Sequence, residues 1–273
     1  MTDRIALIFG AAHGIGRGIA TSLARSGNRI MLSDCDEAAG QAAAKVLRDA
    51  GADASFAAGD VASDTDLAAV VAATASRFGG IDILVNCARP YLAKQDFPAC
   101  MQDWNLAMDV LVKGPALATS YALPHLEKSG RGAVVNVSST NAFHISHQPL
   151  PYHVAKAAVA HMTRHLAHEL GPRGIRVNAI CPALVDVDSR AQKLTDSAVN
   201  RKIVKAIVPL KRAATVDEIG DLAVFLCSGK AGYLTGQIIV IDGGMTLSDQ
   251  FSAATRTIDA FKAGGADFPP DAV

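Results

Sequence analysis

The chain has 273 residues, with 26 basic and 26 acidic side chains, and half of its residues are hydrophobic. This length fits one large α/β domain, and the balanced charge argues against a nucleic-acid surface. The apolar runs are too short to span a bilayer and no charged leader precedes one, so we expect a cytoplasmic protein that binds no membrane.

Short β-branched runs alternate with longer helical patterns along most of the chain. Strands are predicted at 4–9, 29–33, 54–58, 81–85, 133–138, 175–180 and 237–241. Helices are predicted near 15–26, 36–50, 63–78, 101–128, 152–170 and 215–227. This alternation indicates βαβ units with right-handed crossovers and a parallel sheet, which is an α/β fold.

Two segments break this rhythm. Residues 183–214 are polar and charged, and an insertion of this kind can cover a cleft as a lid. The end of the chain, at 262–273, contains Gly-Gly and Pro-Pro pairs. We therefore expect one domain at 1–250 and a C-terminal extension at 251–273, which could form an arm over a neighbouring subunit.

The cysteines are scattered and odd in number, and no two of them form a C-x-x-C pair. They are Cys35, Cys87, Cys100, Cys181 and Cys227. This spacing indicates reduced thiols in a cytosolic protein rather than a disulfide framework or a zinc site.

A glycine-rich turn joins the first strand to the first helix. Gly10, Gly14 and Gly16 have the spacing G-x-x-x-G-x-G, with His13 and Ile15 between them. Glycines let the backbone approach a pyrophosphate, and a helix N terminus offers unpaired N–H groups. The turn therefore predicts a dinucleotide site, with a purely structural turn as the alternative.

The second strand is followed by Asp34, 18 residues beyond Gly16. A carboxylate there can accept hydrogen bonds from the adenosine ribose and would repel a 2′-phosphate. Cys35 and Asp36 follow it instead of an arginine, so the sequence favours NAD over NADP. The alternative is that Asp34 caps the next helix.

Tyr152 and Lys156 are four residues apart, which places them on one face of a helix. A nearby lysine ammonium favours the phenolate form of a tyrosine, so the pair can act as a general acid or base. Ser139 ends an upstream strand, where a hydroxyl could orient a substrate oxygen, and the adjacent Ser138 is its rival.

Taken in order, these motifs resemble those of a short-chain dehydrogenase/reductase of the common single-domain type, over about residues 4–245. The shared motifs are Gly10/Gly14/Gly16, Asp60-Val61, Asn86-Cys87-Ala88, Val135-Asn136-Val137-Ser138-Ser139, Tyr152/Lys156, Ile175-Arg176-Val177-Asn178, Pro182 and Asp242-Gly243-Gly244. Several motifs in the right order are far more specific than any one of them.

The resemblance implies a single doubly wound Rossmann-type sheet of seven parallel strands with helices on both faces. It implies an NAD(P)-dependent oxidoreductase, assembled as a homotetramer or homodimer, that interconverts a secondary alcohol and a ketone. Ser139 would orient the substrate oxygen, Tyr152 would exchange the proton, and Lys156 would assist Tyr152 and hold the nicotinamide ribose. The implied cofactor-binding residues are Gly10, His13, Gly14, Ile15, Gly16, Asp34, Asp60, Val61, Asn86, Ala88, Val110, Tyr152, Lys156, Pro182 and Val185.

The chain also departs from the family pattern. Leu111 replaces an asparagine that supports a helix kink and a proton-relaying water chain, although a backbone carbonyl could still hold the water. Arg89 replaces a glycine, and it would either contact an anion or point into solvent. Ala183 and Val187 replace a glycine and a threonine. These changes keep open a second hypothesis, a dinucleotide-binding protein with little or no redox activity.

The segment 140–151 should line the substrate cleft, with an aromatic side chain, amides and imidazoles. These side chains are Asn141, Phe143, His144, His147 and Gln148. Farther along, His161, His165 and His168 share the predicted helix of Tyr152. Because no acidic residue completes a metal motif there, we expect surface or interface histidines and no metal site.

Overall fold

The computed structural model describes residues 3–92, 101–187 and 196–263. Its main sheet has seven strands: β1 (Ile5–Phe9), β2 (Arg29–Asp34), β3 (Ala54–Ala58), β4 (Ile83–Asn86), β5 (Ala133–Val137), β6 (Arg176–Pro182) and β9 (Ile238–Ile241). Two short strands, β7 (Val185–Asp186) and β8 (Ala214–Thr215), come between β6 and β9 in the chain. All neighbouring strands are parallel, in the order β3-β2-β1-β4-β5-β6-β9. The prediction of a seven-stranded, doubly wound parallel sheet is thus confirmed. The strands β7 and β8 pair with each other outside it.

The helices follow the strands as the alternation predicts. They are α1 (Gly14–Arg25), α2 (Glu37–Asp49), α3 (Asp64–Phe78), α4 (Met101–Met108), α5 (Gly114–Ser129), α6 (Leu150–Leu170), α7 (Ala198–Ile207), α8 (Val216–Cys227) and α9 (Gln250–Ala263). None of the helices in the described ranges is long and apolar enough to cross a membrane.

Two hydrophobic cores lie on opposite faces of the sheet. On one face, Ile19 of α1, Leu47 of α2 and Ile219 of α8 pack against the strands. On the other face, the strands contact α3, α5 and α6 through side chains such as Leu67 and Leu126. Because both faces are covered, the strands read as continuous aliphatic runs in the sequence.

The region predicted as one helix at 101–128 is interrupted. A π-helical turn at Asp109–Lys113 separates α4 from α5. The extra residue in such a turn shifts the helical register and bends the chain. The helix is thus interrupted at the position of the asparagine that the resemblance implies, with Leu111 in its place.

The sequence did not predict α7 and α9, which pack against each other. The Lys202 ammonium of α7 lies 5.3 Å from the ring centroid of Phe261 in α9, and Arg256 donates to the Ala206 carbonyl at 3.1 Å. The first part of the C-terminal extension thus folds onto α7 of the same chain. Cys100, the middle of the predicted lid at 188–195, and the end of the extension at 264–273 lie outside the described residues.

Candidate active site

The carboxyl ends of β1 and β4 meet at the point where the strand order of the sheet reverses. Ligands of open α/β sheets bind in the crevice at such a point. Gly10 follows β1 with φ of +75°, and a Cβ there would stand 2.5 Å from the Ala88 Cα. Only glycine fits this close approach, so the turn leaves a cradle of bare backbone at the crevice.

The N terminus of α1 opens onto the same crevice. His13 precedes the helix, and its side chain makes no capping hydrogen bond. The first helical turn therefore directs the N–H groups of Gly14, Ile15 and Gly16 outward, without acceptors from the helix itself. Such an N terminus suits a pyrophosphate, and a dinucleotide fits the residues present.

Asp34 lies at the end of β2, beside the glycine turn. Its Oδ2 accepts from the Ala12 N–H at 3.0 Å, and its Oδ1 accepts from the Asp36 N–H at 3.1 Å. The alternative that Asp34 caps α2 is wrong, because the Asp36 side chain makes that bond, to the Ala39 N–H. A carboxylate has about four acceptor positions, so Asp34 retains capacity for ribose hydroxyls.

Farther along the same edge, Asp60 and Val61 follow β3, and the start of α5 lies beside them. Asp60 is exposed, and its Oδ1 accepts from the Ala62 N–H at 2.9 Å. A Cβ on Gly114 would lie 2.6 Å from the Val61 carbonyl oxygen, so the start of α5 lies directly against Val61. Val110 is buried in the π-helical turn just before that contact.

The two serines after β5 have different environments. Ser138 Oγ donates to the Lys156 carbonyl at 2.8 Å, which ties Ser138 to the backbone of α6. Ser139 Oγ accepts from the Asn141 N–H at 3.2 Å and donates to the Pro182 carbonyl at 3.5 Å. Because this donated bond is much longer than that of Ser138, the Ser139 hydroxyl is the better placed of the two to contact a ligand.

Tyr152 and Lys156 lie one turn apart on α6, and both are buried. Lys156 Nζ lies 5.7 Å from the centroid of the Tyr152 ring and donates to the Val137 carbonyl at 2.8 Å. Among the described residues, no carboxylate pairs with this ammonium. A buried cation with unused N–H donors is costly, and it favours negative charge on a neighbouring group.

The apolar side chain of Leu111 packs in the same cluster as Tyr152. It is 2% exposed and packs in one cluster with Ala107, Tyr152 and Ala155. An apolar side chain here offers no hydrogen bond to a water molecule. A water molecule that relays protons from Lys156 would therefore have to be held by other groups, such as backbone carbonyls.

Buried hydrogen bonds of two asparagines and a threonine connect the strands of the site to α6. Asn86 Nδ2 donates to Asn136 Oδ1 at 2.8 Å, and Asn136 Nδ2 donates to Thr163 Oγ1 at 3.0 Å. Thr163 in turn donates to the Val159 carbonyl at 2.8 Å. The Asn86 side chain, predicted to line the cofactor cleft, is thus engaged in joining β4 to β5 and α6. The sequence predicted no separate role for Asn136, which appeared only as a member of a shared motif, or for Thr163. A single amide in a strand and a single hydroxyl on a helix do not reveal that their side chains are bonded to each other.

The strand β6 supplies the far wall of the cleft. Pro182 is buried at its end, and the Ala183 N–H donates to the Ile241 carbonyl at 3.2 Å. Val185 is buried in the core beside the sheet, and Val187 packs against the same core. The Val185 side chain, predicted to line the nicotinamide end, is therefore directed largely into this core.

Arg89 extends across the mouth of the cleft. Its guanidinium carbon lies 5.3 Å from the Tyr152 ring centroid, and its Nη2 donates to Gln148 Oε1 at 3.2 Å. Although the side chain is exposed, it does not simply point into solvent.

The segment between β5 and α6 is held by His153. The Ser146 N–H donates to Nε2 of the buried imidazole at 3.0 Å, and its Nδ1 lies 3.2 Å from the Pro149 carbonyl. Nδ1 therefore carries the proton, since Nε2 is an acceptor. His144 is half-buried, and its pKa is lowered by burial and by His153, against an opposing effect of Asp242.

His161, His165 and His168 lie exposed on α6, away from these groups. Within the described ranges, no cluster of three or more His, Cys, Asp or Glu side chains is arranged to hold a metal ion.

Comparisons with known proteins agree with this geometry. A family model described as enoyl-(acyl carrier protein) reductase matches residues 10–246. Cis-4-hydroxycyclohexanecarboxylate dehydrogenase of Sinomonas cyclohexanicum is 35% identical over 247 residues, covering 89% of this chain and 97% of the relative. D-threitol dehydrogenase of Mycolicibacterium smegmatis is 36% identical over 248 residues, covering 90% and 94%. The crystal structure of gox2181 has a TM-score of 0.84 at 27% identity and covers 91% of this chain and 97% of that one.

The fold and the site define a nicotinamide-dinucleotide oxidoreductase scaffold. The chain belongs to the short-chain dehydrogenase/reductase family.

Proposed function

We propose that this oxidoreductase interconverts a secondary alcohol and a ketone, with Tyr152 as the general acid or base. The observation that carries the proposal is the buried Lys156 ammonium, which lies beside Tyr152 with one backbone acceptor and no carboxylate partner in the described part of the chain. Two relatives that are dehydrogenases by name support the alcohol chemistry.

Ser139, Tyr152 and Lys156 have different roles in the proposed reaction. The Ser139 hydroxyl donates a hydrogen bond to the substrate oxygen and orients it. Tyr152 gives its phenolic proton to that oxygen during reduction, and the phenolate takes the proton back during oxidation. Lys156 stabilises the phenolate by its charge. A bound nicotinamide dinucleotide supplies or accepts the hydride.

NAD is the proposed cofactor, because the Asp34 carboxylate would repel the 2′-phosphate of NADP. The first turn of α1 would hold the pyrophosphate, and Asp34 would hold the adenosine ribose. Asp60, Val61 and Val110 would contact the adenine, and Lys156 would contact the nicotinamide ribose. Asn86, Ala88, Pro182 and Val185 would complete the walls of the cleft through their backbone and exposed atoms.

We also propose a cytoplasmic homotetramer or homodimer with a small-molecule substrate. Four cysteines in the described ranges are unpaired, which fits a reducing compartment. The exposed histidines of α6 suit a surface between subunits.

The direct test is to mix the wild-type protein with NAD or NADP and a panel of secondary alcohols, and with NADH or NADPH and the matching ketones. Nicotinamide absorbance then reports turnover, which we expect with NAD(H) in preference to NADP(H). The second candidate function is dinucleotide binding with little chemistry, and the apolar Leu111 beneath Tyr152 is the observation that favours it. Tight nucleotide binding without turnover across the panel would select that candidate.

A further inference from the structure

Arg89 occupies the cleft where the family pattern has a glycine, and its guanidinium lies over the Tyr152 ring. We propose that Arg89, together with Gln148, binds a carboxylate of the substrate, so that the enzyme acts on hydroxy acids and oxo acids. This inference rests on the proposed function, since it assigns a substrate class to the same site.

The charge of Arg89 is available to a ligand. No carboxylate within 3–92, 101–187 or 196–263 forms an ion pair with it, whereas Arg212 pairs with Glu218 at 2.6 Å. A guanidinium has five N–H donors in a planar fork that matches a carboxylate, and Gln148 accepts from one of its nitrogens. Lys156, the other cation beside Tyr152, is buried and bonded to the Val137 carbonyl.

Gln148 adds a second donor, and its position is built into the fold. Its Oε1 accepts from Arg89, and its Nε2, which has no acceptor among the described residues, can donate beside the guanidinium. The Gln148 N–H donates to Ser146 Oγ at 3.3 Å, and the Ser146 N–H donates to the buried His153. The amide and the guanidinium are therefore held together before any ligand binds, which lowers the entropy lost on binding.

The surroundings favour a single anionic head on an otherwise apolar molecule. Phe143 and Ile145 are exposed on the loop that carries Gln148. Burial lowers the pKa of His144, which favours the uncharged imidazole. One exposed guanidinium balances the single charge of a carboxylate better than the double charge of a phosphate.

The test compares oxo acids with their methyl esters. Reduction of 3-oxobutanoate, 4-oxopentanoate and the two esters is measured with NADH, for the wild type and for Arg89→Met. The quantity of interest is kcat/KM for the acid divided by kcat/KM for its ester. An effect of Arg89 on Tyr152 changes both values of kcat/KM by the same factor and leaves their ratio unchanged. We expect acids to be preferred by the wild type, and Arg89→Met to reduce the ratio about 10- to 100-fold, mainly through KM.

Two further variants sharpen the result. Arg89→Lys keeps the charge without the planar fork and should restore the ratio only in part. Arg25→Met is the matched control, because Arg25 is an exposed arginine at the far end of α1, and the ratio should not change. A ratio that is the same in Arg89→Met and the wild type would overturn the proposal and would assign Arg89 to Tyr152 alone.

Failure of the proposed function would be recognised separately. If the wild type reduces none of the four compounds, each is titrated into the enzyme–NADH complex while the nucleotide fluorescence is followed. Binding of the acids in preference to the esters, lost in Arg89→Met, would support the carboxylate site without turnover. Equal or undetectable binding of acids and esters would overturn it.

Discussion

At the scale of single residues, Lys156 is the most revealing side chain. It is 4% exposed, yet among the described residues its ammonium donates a hydrogen bond only to one backbone carbonyl, that of Val137. Replacing a buried charge by an apolar side chain of similar shape is often neutral or stabilising. The position of Lys156 is therefore better explained by chemistry at Tyr152 than by stability.

Lys156→Met should separate the two explanations. We expect its melting temperature to equal or exceed that of the wild type, while turnover falls about 100- to 10,000-fold, the usual range for a lost acid–base group. Thermal unfolding and steady-state rates are the measurements. A marked loss of stability would show instead that the lysine is chiefly structural.

Residue types at the ends of strands could be predicted from the sequence, but their partners could not. The glycine turn, Asp34 and the pair Tyr152/Lys156 all stand out by spacing. By contrast, the bonds that engage Ser138 and Asp36, and the reach of Arg89 across the cleft, depend on residues distant in the chain or on backbone geometry. Spacing indicates that a cap is present, but it does not show which of two neighbouring aspartates makes it, nor which distant backbone group a side chain reaches.

At the scale of elements, the turn between β1 and α1 owes its shape to Gly10. Gly10→Ala combines a strained backbone, at φ of +75°, with a Cβ 2.5 Å from Ala88. Gly51→Ala is a matched control, because Gly51 has φ of +87° and open space around it. We expect both variants to lose about 1 kcal/mol or more from the unfavourable φ.

Only Gly10→Ala should also weaken NAD binding, because its added methyl group displaces the crevice wall. Chemical denaturation and nucleotide titration measure the two effects. Equal nucleotide affinity in the two variants would show that the turn does not shape the cofactor site.

The start of α8 contains a charged capping box. Glu218 accepts from Arg212 at 2.8 and 2.6 Å and from the Thr215 N–H at 2.9 Å. The Arg212 bonds, followed by that of Thr215, lower the pKa of Glu218 to about 2. An unfolded glutamate has a pKa of about 4.3, so this stabilisation is complete above about pH 5 and is lost as the pH falls toward 2.

Glu218→Gln removes the charge and mimics the protonated form. We expect it to lower the free energy of unfolding by about 0.5–1 kcal/mol at pH 7, a modest amount because the pair is exposed. The difference from the wild type should shrink at pH 3. Asp217→Asn, in the same helical turn, is the control and should have a smaller effect at pH 7. An unchanged difference between pH 7 and pH 3 would contradict the assignment.

The strands could be predicted because each is a buried aliphatic run. The helix α7 was missed although Val199, Ile203 and Ile207 recur at helical spacing, because it lies within a segment that is polar and charged as a whole. In α9 the apolar pattern is weaker, and Phe261 is its one buried side chain. The π-helical turn at Asp109–Lys113 has no local signature.

At the scale of the whole molecule, β9 forms one edge of the main sheet within the described residues, and large exposed apolar side chains follow it. Beyond β9, Leu247 and Phe251 are 86% and 81% exposed. An uncovered sheet edge with large apolar neighbours tends to pair with another chain. We therefore expect a solution mass of two or four chains by light scattering.

The double variant Leu247→Asp/Phe251→Asp should reduce that mass, because charges oppose burial of the surface. Val46→Asp, at an exposed apolar position on α2, is the control and should leave the mass unchanged. A monomeric wild type would contradict the proposed assembly.

Proton transfer by Tyr152 is tested most directly by the variant Tyr152→Phe. This variant keeps the ring that packs on Leu111 and under Arg89 and removes only the phenolic oxygen. With a substrate that the wild type reduces, single-turnover oxidation of NADH should slow about 100- to 10,000-fold, while NADH binds with unchanged affinity. An unchanged single-turnover rate would contradict the account.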